Sequence, residues 1–470
     1  MSEKMNPSEE ERAYRREEDS MGSVRVPAEA HYGSQTQRAA DNFFSSGLKP
    51  PTAWIYALAS IKYFAARTNE ELGLLNTERA DAIMTAAREV MDGRWDDQFV
   101  VDLFQTGSGT STNLNMNEVL ASRANEILTG RKGGRAPVHP NDHVNLGQSS
   151  NDVMPTALHV AAAQGLVEKV KPALAGLRDQ LIKKAVQFQN IRKIGRTHLQ
   201  DAVPMALGDS FSGFARQAAL GLERIEATMP RLTELALGGT AVGNGLNAHE
   251  AFAGRVISGL VELSGIQFRE AVNHFEAQAA QDAIVEVSGA LKTVAVSLVK
   301  IANDIRWLGS GPRCGIGELK LPALQPGSSI MPGKVNPVIP EAVIQRAYQV
   351  MGNDTAVTLG GQSGVFELNV SLPLLAHNVL QSMDLIAGAA RMLSEKCLEG
   401  LVADEKRCEG YIEKSLALVT ALVPQIGYDR AAELAKKAYE TGKTVRQTAR
   451  EAGVMPEEEL DKRLDLSKER

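Results

Sequence analysis

Residues 327–337 concentrate groups that can handle a small anion. Ser328 and Ser329 bring hydroxyls, Lys334 an ammonium and Asn336 an amide, set among Gly327, Gly333, Pro332, Val335 and Pro337. Core packing asks for no such mixture. A site closing over a dianion does: hydroxyls and amides point, a lysine neutralises, and glycines let the backbone approach. Glycine and proline mark the segment as a loop. An apolar-periodic stretch follows from Pro340 to Val357, so the loop feeds a helix start, where free backbone N–H groups favour anions. On composition alone, a Gly/Pro connector with a chance lysine fits equally well.

Four other polar clusters interrupt the apolar pattern. Residues 106–113, with Ser108, Gly109 and Thr110, place glycines beside hydroxyls just before a helix. That makes either a carboxylate cradle or a Ser/Thr-rich cap, and the spacing is neither GxxxxGK[ST] nor GxGxxG. His139, Pro140, Asn141 and Asp142, then Gln148, Ser149, Ser150, Asn151 and Asp152, are ordinary capping residues taken alone. Thr197 and His198 lie between two long helices; a lone histidine is more often structural, but bundles build sites from polar clusters at helix ends. The run Gly238-Gly239-Thr240-Ala241-Val242-Gly243-Asn244-Gly245 follows no strand and reads as a tight structural turn.

These clusters need a frame, and the apolar periodicity supplies one. Long helices are expected over 155–188, with Asn151 or Asp152 as cap and Pro155 in the first turn. Others are expected over 205–228 (stopping before Pro230), 276–308, from 340 onward, and 373–398. Ile284, Val287, Leu291, Val294, Leu298, Ile301 and Ile305 trace one face of the third. Five such helices must bundle, and those apolar on two faces, as over 290–302, want partner chains. Beta signals are weak, so the fold class is mainly α. The segments read as a disordered N-terminal arm over 1–18, an N-terminal mainly helical domain over 19–148, a central long-helix bundle domain over 149–403 and a small C-terminal helical domain over 404–470.

At 470 residues the chain exceeds one simple core. Aromatics are only 5%, and the abundant alanine suits closely packed helices. A net charge of −6 argues against a general nucleic-acid binder and makes any anion site local. Cys314, Cys397 and Cys408 form no CxxC pair, so neither a disulfide framework nor a zinc site is expected. No apolar run is long enough for a membrane span. The charged N-terminus lacks a signal-type apolar core, and the expectation is a cytoplasmic protein.

Taken together and in order, these segments resemble the fumarase/aspartase superfamily, and within it the class II fumarases, over nearly the whole chain from about Asp19. GSSIMPGKVNP (327–337) is similar to the superfamily's mobile loop. GSGTSTNLNMNEV (107–119), VHPND (138–142), GQSSND (147–152), GRTHLQDAVP (195–204) and SGPRCGIGEL (310–319) resemble fumarase segments in the same sequence. The alternative is an aspartate ammonia-lyase of the same superfamily, which usually carries glutamine where this chain has His198. Asn273-His274-Phe275-Glu276 is also fumarase-like. Val338-Ile339-Pro340-Glu341 does not discriminate, and Asn244 departs from the threonine common in the glycine-rich turn.

The resemblance implies a fumarase/aspartase-like homotetramer whose five long helices per subunit form a twenty-helix core. Its active sites would be shared between three subunits, and it would hydrate fumarate reversibly to L-malate through an aci-carboxylate carbanion. It matches Ser328 to the base for the carbon-bound proton, His198 to the residue that handles water, Glu341 to its carboxylate partner, and Lys334 to the main countercharge. Ser108, Gly109, Thr110, Ser149, Ser150, Asn151, Thr197, Ser329, Val335 and Asn336, with Lys334, match substrate-binding positions. His139, Pro140, Asn141 and Asp142 match a second anion site. Neither metal nor organic cofactor is implied, and neither nucleic acid nor membrane is an expected partner.

Overall fold

The computed structural model describes residues 13–465. The described residues divide into two compact units, one from residues 13–172, 223–295 and 348–386, the other from 173–222, 296–347 and 387–465.

The first unit opens with an antiparallel hairpin, β1 (Tyr14–Asp19) against β2 (Gly22–Pro27). Residues 14–18, expected as part of a disordered arm, are therefore strand, while residues 1–12 lie outside the described residues. The charge that suggested an arm fastens the strand instead. The Arg15 guanidinium donates to the carbonyl oxygens of Pro27, Ala28, Ala30 and Tyr32 at 2.6–3.2 Å, and Arg38 pairs with Asp19 at 2.8 Å. Helices α1 (Ser34–Asn42), α2 (Thr52–Glu71), α3 (Thr77–Met91) and α4 (Thr110–Thr129) follow. In α2 the buried Trp54, Leu58 and Ile61 alternate with Ala57 and Ala65, so bulky groups fill the core while alanines let neighbours approach.

A π-helical turn (Pro140–Val144) precedes α5 (Ser150–Gly165). The cap of α5 is Ser149, not Asn151 or Asp152; Asp152 stands at the third helical position and completes a capping box. Pro155 consequently lies inside the helix rather than in its first turn. A second π-helical segment, Leu166–Val170, carries the chain into α6 (Lys171–Gln187).

The second unit contains a longer antiparallel hairpin, β3 (Arg192–Thr197) and β4 (Gln200–Ala206), with a register shift between Ile194 and Arg196. Helix α7 spans Leu207–Leu232 and runs through Pro230, where the periodicity predicts a stop. A proline this close to a helix end removes one backbone bond only. The last turn is held by Thr233 N–H donating to the Met229 carbonyl (3.0 Å) and Arg231 to that of Ala227 (2.6 Å).

Helix α8 (Phe252–Ser264) precedes the short α9 (His274–Ala279), which Asn273 caps and which is separate from α10 (Asp282–Leu308). The expected single helix over 276–308 is thus interrupted near Ala280. Helices α11 (Val338–Gly361) and α12 (Leu372–Met392) complete the long set, and a third π-helical segment, Leu393–Leu398, extends the last. Helices α7, α10, α11 and α12 each contribute residues to both units. The C-terminal helices, α13 (Glu405–Lys414) to the last (Glu457–Leu464), gather around Leu418, Leu422, Leu434, Val445, Leu460 and Leu464. Strands among the described residues form two-stranded pairs, so the mainly α expectation holds.

Candidate functional site

The 327–337 loop is closed by its own bonds. Gly327 N–H donates to the Lys334 carbonyl at 2.7 Å, and Asn336 Nδ2 donates to the Gly327 carbonyl at 2.7 Å. Inside that closure Ser328 Oγ accepts two backbone N–H groups, from Ile330 at 3.2 Å and Met331 at 3.0 Å. Two donors converging on one hydroxyl oxygen are what an alkoxide requires. Ser328 and Asn336 are half-buried, whereas Ser329, Lys334 and Val335 face solvent. Glu341 sits in the first turn of α11, directly after the loop.

Thr197 and His198 occupy the tip of the β3–β4 hairpin, not a plain connector between helices. His198 and Leu199 form its two-residue turn, with φ of +54° and +62°. Two positive φ values are those of a type I′ turn, which normally takes Asn-Gly. Non-glycine residues hold this shape only against strain of about 1–2 kcal/mol each, and such strain clusters at functional sites.

The base of the hairpin is buried. Glu318 lies within 2.8 Å of Arg196 and 3.5 Å of Lys193, and burial lowers the Lys193 pKa. Among the described residues, the side chains of His198, Lys334 and Glu341 make no hydrogen bond or ion pair.

The other two clusters meet in the first unit. Gly109 starts α4 with φ +74°, and a Cβ there would lie 3.0 Å from Met154 and 3.1 Å from Trp54. Glycine is therefore required at that position for both conformation and space. Ser108 and Thr110 share a hydrogen bond of 2.7 Å, and Asn113 Nδ2 donates to Ser150 Oγ at 3.0 Å, joining the starts of α4 and α5. Ser149 Oγ accepts from Asn151 N–H, and Asn151 Nδ2 donates to the Ala241 carbonyl.

Beneath these residues lies a polar core that the sequence does not disclose. Asp152 is fully buried and accepts N–H groups from Ser149 (2.9 Å), Gly238 (3.1 Å) and Thr240 (3.0 Å). Burial nonetheless raises its pKa. The glycine-rich turn is thus structural, as its spacing indicates, but it is pinned to the start of α5. Lys62, on α2, is also fully buried; its Nζ donates to Asn145 Oδ1 at 2.8 Å and Gln148 Oε1 at 2.9 Å. Burial brings its pKa down to about 7, against the pull of Asp152. A lysine at an apolar helix position gives no signal in the sequence beyond breaking the stripe.

His139 caps the π-helical turn. Its Nδ1 accepts N–H groups from Asn141 (3.2 Å) and Asp142 (3.1 Å), and its own N–H donates to His143 Nδ1 (2.8 Å). Pro140 is buried beneath. His139 and His143 stand four residues apart, a spacing some metal sites use, but each Nδ1 is already an acceptor. Among the described residues no group of three His, Cys, Asp or Glu is placed to hold a metal ion, and no helix is long and apolar enough to cross a membrane.

A family model described as Lyase matches residues 22–352, and one described as Fumarase C C-terminus matches residues 418–468. A Nitrosomonas europaea protein named Fumarate hydratase class II is 54% identical over 455 residues, spanning 97% of this chain and 98% of the relative. A Mycobacterium tuberculosis protein of the same name is 53% identical, spanning 96% and 95%. The crystal structure of class II fumarase from Schistosoma mansoni superposes with a TM-score of 0.93 at 41% identity, covering 97% of this chain and 99% of that one. A Brucella melitensis fumarate lyase:delta crystallin gives 0.91 at 46% identity, covering 96% and 98%.

Proposed function

The chain belongs to the class II fumarate hydratase family, and from that premise we propose how its residues divide the work. The enzyme is a hydro-lyase that interconverts fumarate and L-malate. In the dehydration direction a proton leaves the carbon beside a carboxylate that is already charged, producing an aci-carboxylate dianion. Preorganised donors must lower that barrier.

Ser328 Oγ takes the carbon-bound proton. The observation that carries this role is the pair of N–H groups from Ile330 and Met331 aimed at the same oxygen. Lys334 supplies countercharge to the dianion. On the opposite face His198, oriented by Glu341, protonates the departing hydroxyl through a water, and the reverse transfer activates water for hydration. Ser108, Gly109, Thr110, Ser149, Ser150, Asn151, Thr197, Ser329, Val335 and Asn336 orient the two substrate carboxylates. Asn336 would exchange its bond to the Gly327 carbonyl for a substrate oxygen. His139, Pro140, Asn141 and Asp142 form a second anion site.

The isolated chain joins none of His198, Lys334 and Glu341, which supports assembly of each site from three subunits of a homotetramer. Exposed apolar side chains on long helices support the same reading: Val296 and Trp307 on α10, Tyr348 and Leu359 on α11, all at least half exposed. Residues 19–148, 149–403 and 404–470 would be the three domains of each cytoplasmic subunit.

The test is fumarate formation from L-malate, followed by ultraviolet absorbance, in Ser328→Ala and His198→Asn. Each variant should lose about 10²–10⁴-fold in kcat with the tetramer intact. Wild-type-like turnover in Ser328→Ala would remove the assignment. Activity measured beside mass on dilution tests the shared site, and a fully active monomer would end that proposal.

A further inference from the structure

We propose that Lys62 is a positioning residue for this reaction: it sets the direction of a buried hydrogen-bond chain that leaves the Ser150 hydroxyl hydrogen free to point at a substrate carboxylate. The inference rests on the assignment of Ser150 to the substrate.

A lysine side chain donates from its ammonium and accepts nothing in that form. Lys62 Nζ therefore holds the oxygens of Asn145 and Gln148 toward itself, at 2.8 and 2.9 Å. Their nitrogens must face away. Asn145 Nδ2 donates to the Gln148 carbonyl (3.1 Å), and Gln148 Nε2 to the carbonyls of Val144 (3.1 Å) and Leu146 (3.2 Å). Asn145 Oδ1 has a second lone pair, which faces Asn113 at 3.3 Å. Only the nitrogen of Asn113 fits there, and the same nitrogen donates to Ser150 Oγ at 3.0 Å.

The arrangement leaves Asn113 Oδ1 buried without a partner. An unpartnered buried oxygen is costly, and turning the amide over would let it take the Ser150 hydrogen. That turn would set oxygen against oxygen at Asn145, whose acceptor face Lys62 holds in place. A hydroxyl that accepts from the protein keeps its hydrogen to give. A carboxylate only accepts, so the opposite direction would present lone pairs to lone pairs. The direction also survives loss of the lysine proton, because a neutral amine retains two N–H groups for its two acceptors.

A double-mutant cycle tests this, using kcat/KM for L-malate in Lys62→Met, Asn113→Leu, Ser150→Ala and the doubles, with melting and mass recorded for each. Each single variant should lose about tenfold, the worth of one hydrogen bond to a charged group. Lys62→Met and Asn113→Leu should cost little further once Ser150 is alanine. A purely structural role predicts the opposite, with losses that multiply to about a hundredfold in the doubles, and that result would overturn the inference. So would an unchanged kcat/KM in Lys62→Met when Ser150→Ala is impaired. If Ser150→Ala alone is unimpaired, the substrate assignment fails and the inference falls with it. Should Lys62→Met not assemble, Asn113→Leu carries the same cycle.

Discussion

Two glycines of the 327–337 loop separate steric closure from backbone conformation. Gly333 has φ +82° and open space where a Cβ would stand. Alanine there meets only the left-handed backbone penalty of about 1–2 kcal/mol. Stiffening of the unfolded loop returns about half of that. The net, about 1 kcal/mol, should reduce the closed population and kcat/KM about fivefold. Gly327 differs: a Cβ there would lie 2.7 Å from the Lys334 carbonyl oxygen and 2.8 Å from Asn336 N. Those are backbone atoms of the closure itself, so alanine must open the loop. Losing the Gly327 N–H bond to the Lys334 carbonyl, at about 1 kcal/mol, plus a displacement of similar cost, amounts to about 2 kcal/mol and roughly 30-fold in kcat/KM. The assay is L-malate dehydration by both variants, beside thermal melting, which should barely move because the loop is largely exposed. The reasoning is refuted if Gly333→Ala is the more damaging, or if Gly327→Ala leaves turnover untouched.

Other expectations follow from the same geometry. Leu199 is 72% exposed at φ +62°, so Leu199→Gly should raise stability by about 1 kcal/mol; calorimetry decides, and a lower melting point would contradict the strain. Asp152→Ala leaves three N–H groups without their acceptor and should destabilise by about 3 kcal/mol, with Asp152→Asn milder, read from denaturant midpoints.

Lys62 should also make stability depend on pH. Unfolded, it holds its proton to its ordinary 10.5; folded, it releases it at about 7. Unfolding then takes up a proton, so stability rises with pH between the two values, by up to about 1.4 kcal/mol per pH unit. Cys397 and Cys408, whose thiols are pushed up to about 12, oppose this above pH 9. Between pH 7 and 9 the denaturation midpoint should climb more steeply in the wild type than in Lys62→Met, where the buried Lys193 and Lys184, whose pKa values burial also lowers, still contribute a rise of the same sign.

The sequence discloses what is periodic or locally self-sufficient. Helix positions follow from apolar spacing, and the 327–337 loop from its own composition. Family assignment came from several segments matching in order. Tertiary bonds that override a local rule stay hidden. Arg15 ties down a strand that charge alone assigns to an arm, and Pro230 is bridged by Thr233 and Arg231. His198 has to be located on a hairpin tip, because neither His nor Leu advertises a type I′ turn. Lys62 and Asp152 are harder still: they act by being buried beneath residues distant in sequence, and no spacing rule records that.

The π-helical segment Leu166–Val170 sets the register in which α6 presents its side chains. An extra residue wound into a helix turns everything beyond it by about 100°. Ala173, Leu174, Leu177 and Leu181 of α6 are buried in the register that follows it. Deleting one residue from the segment would restore regular winding and swing that apolar edge into water. Single-residue deletions within 166–170 should therefore cost more stability than substitutions there, a difference that denaturant midpoints would read.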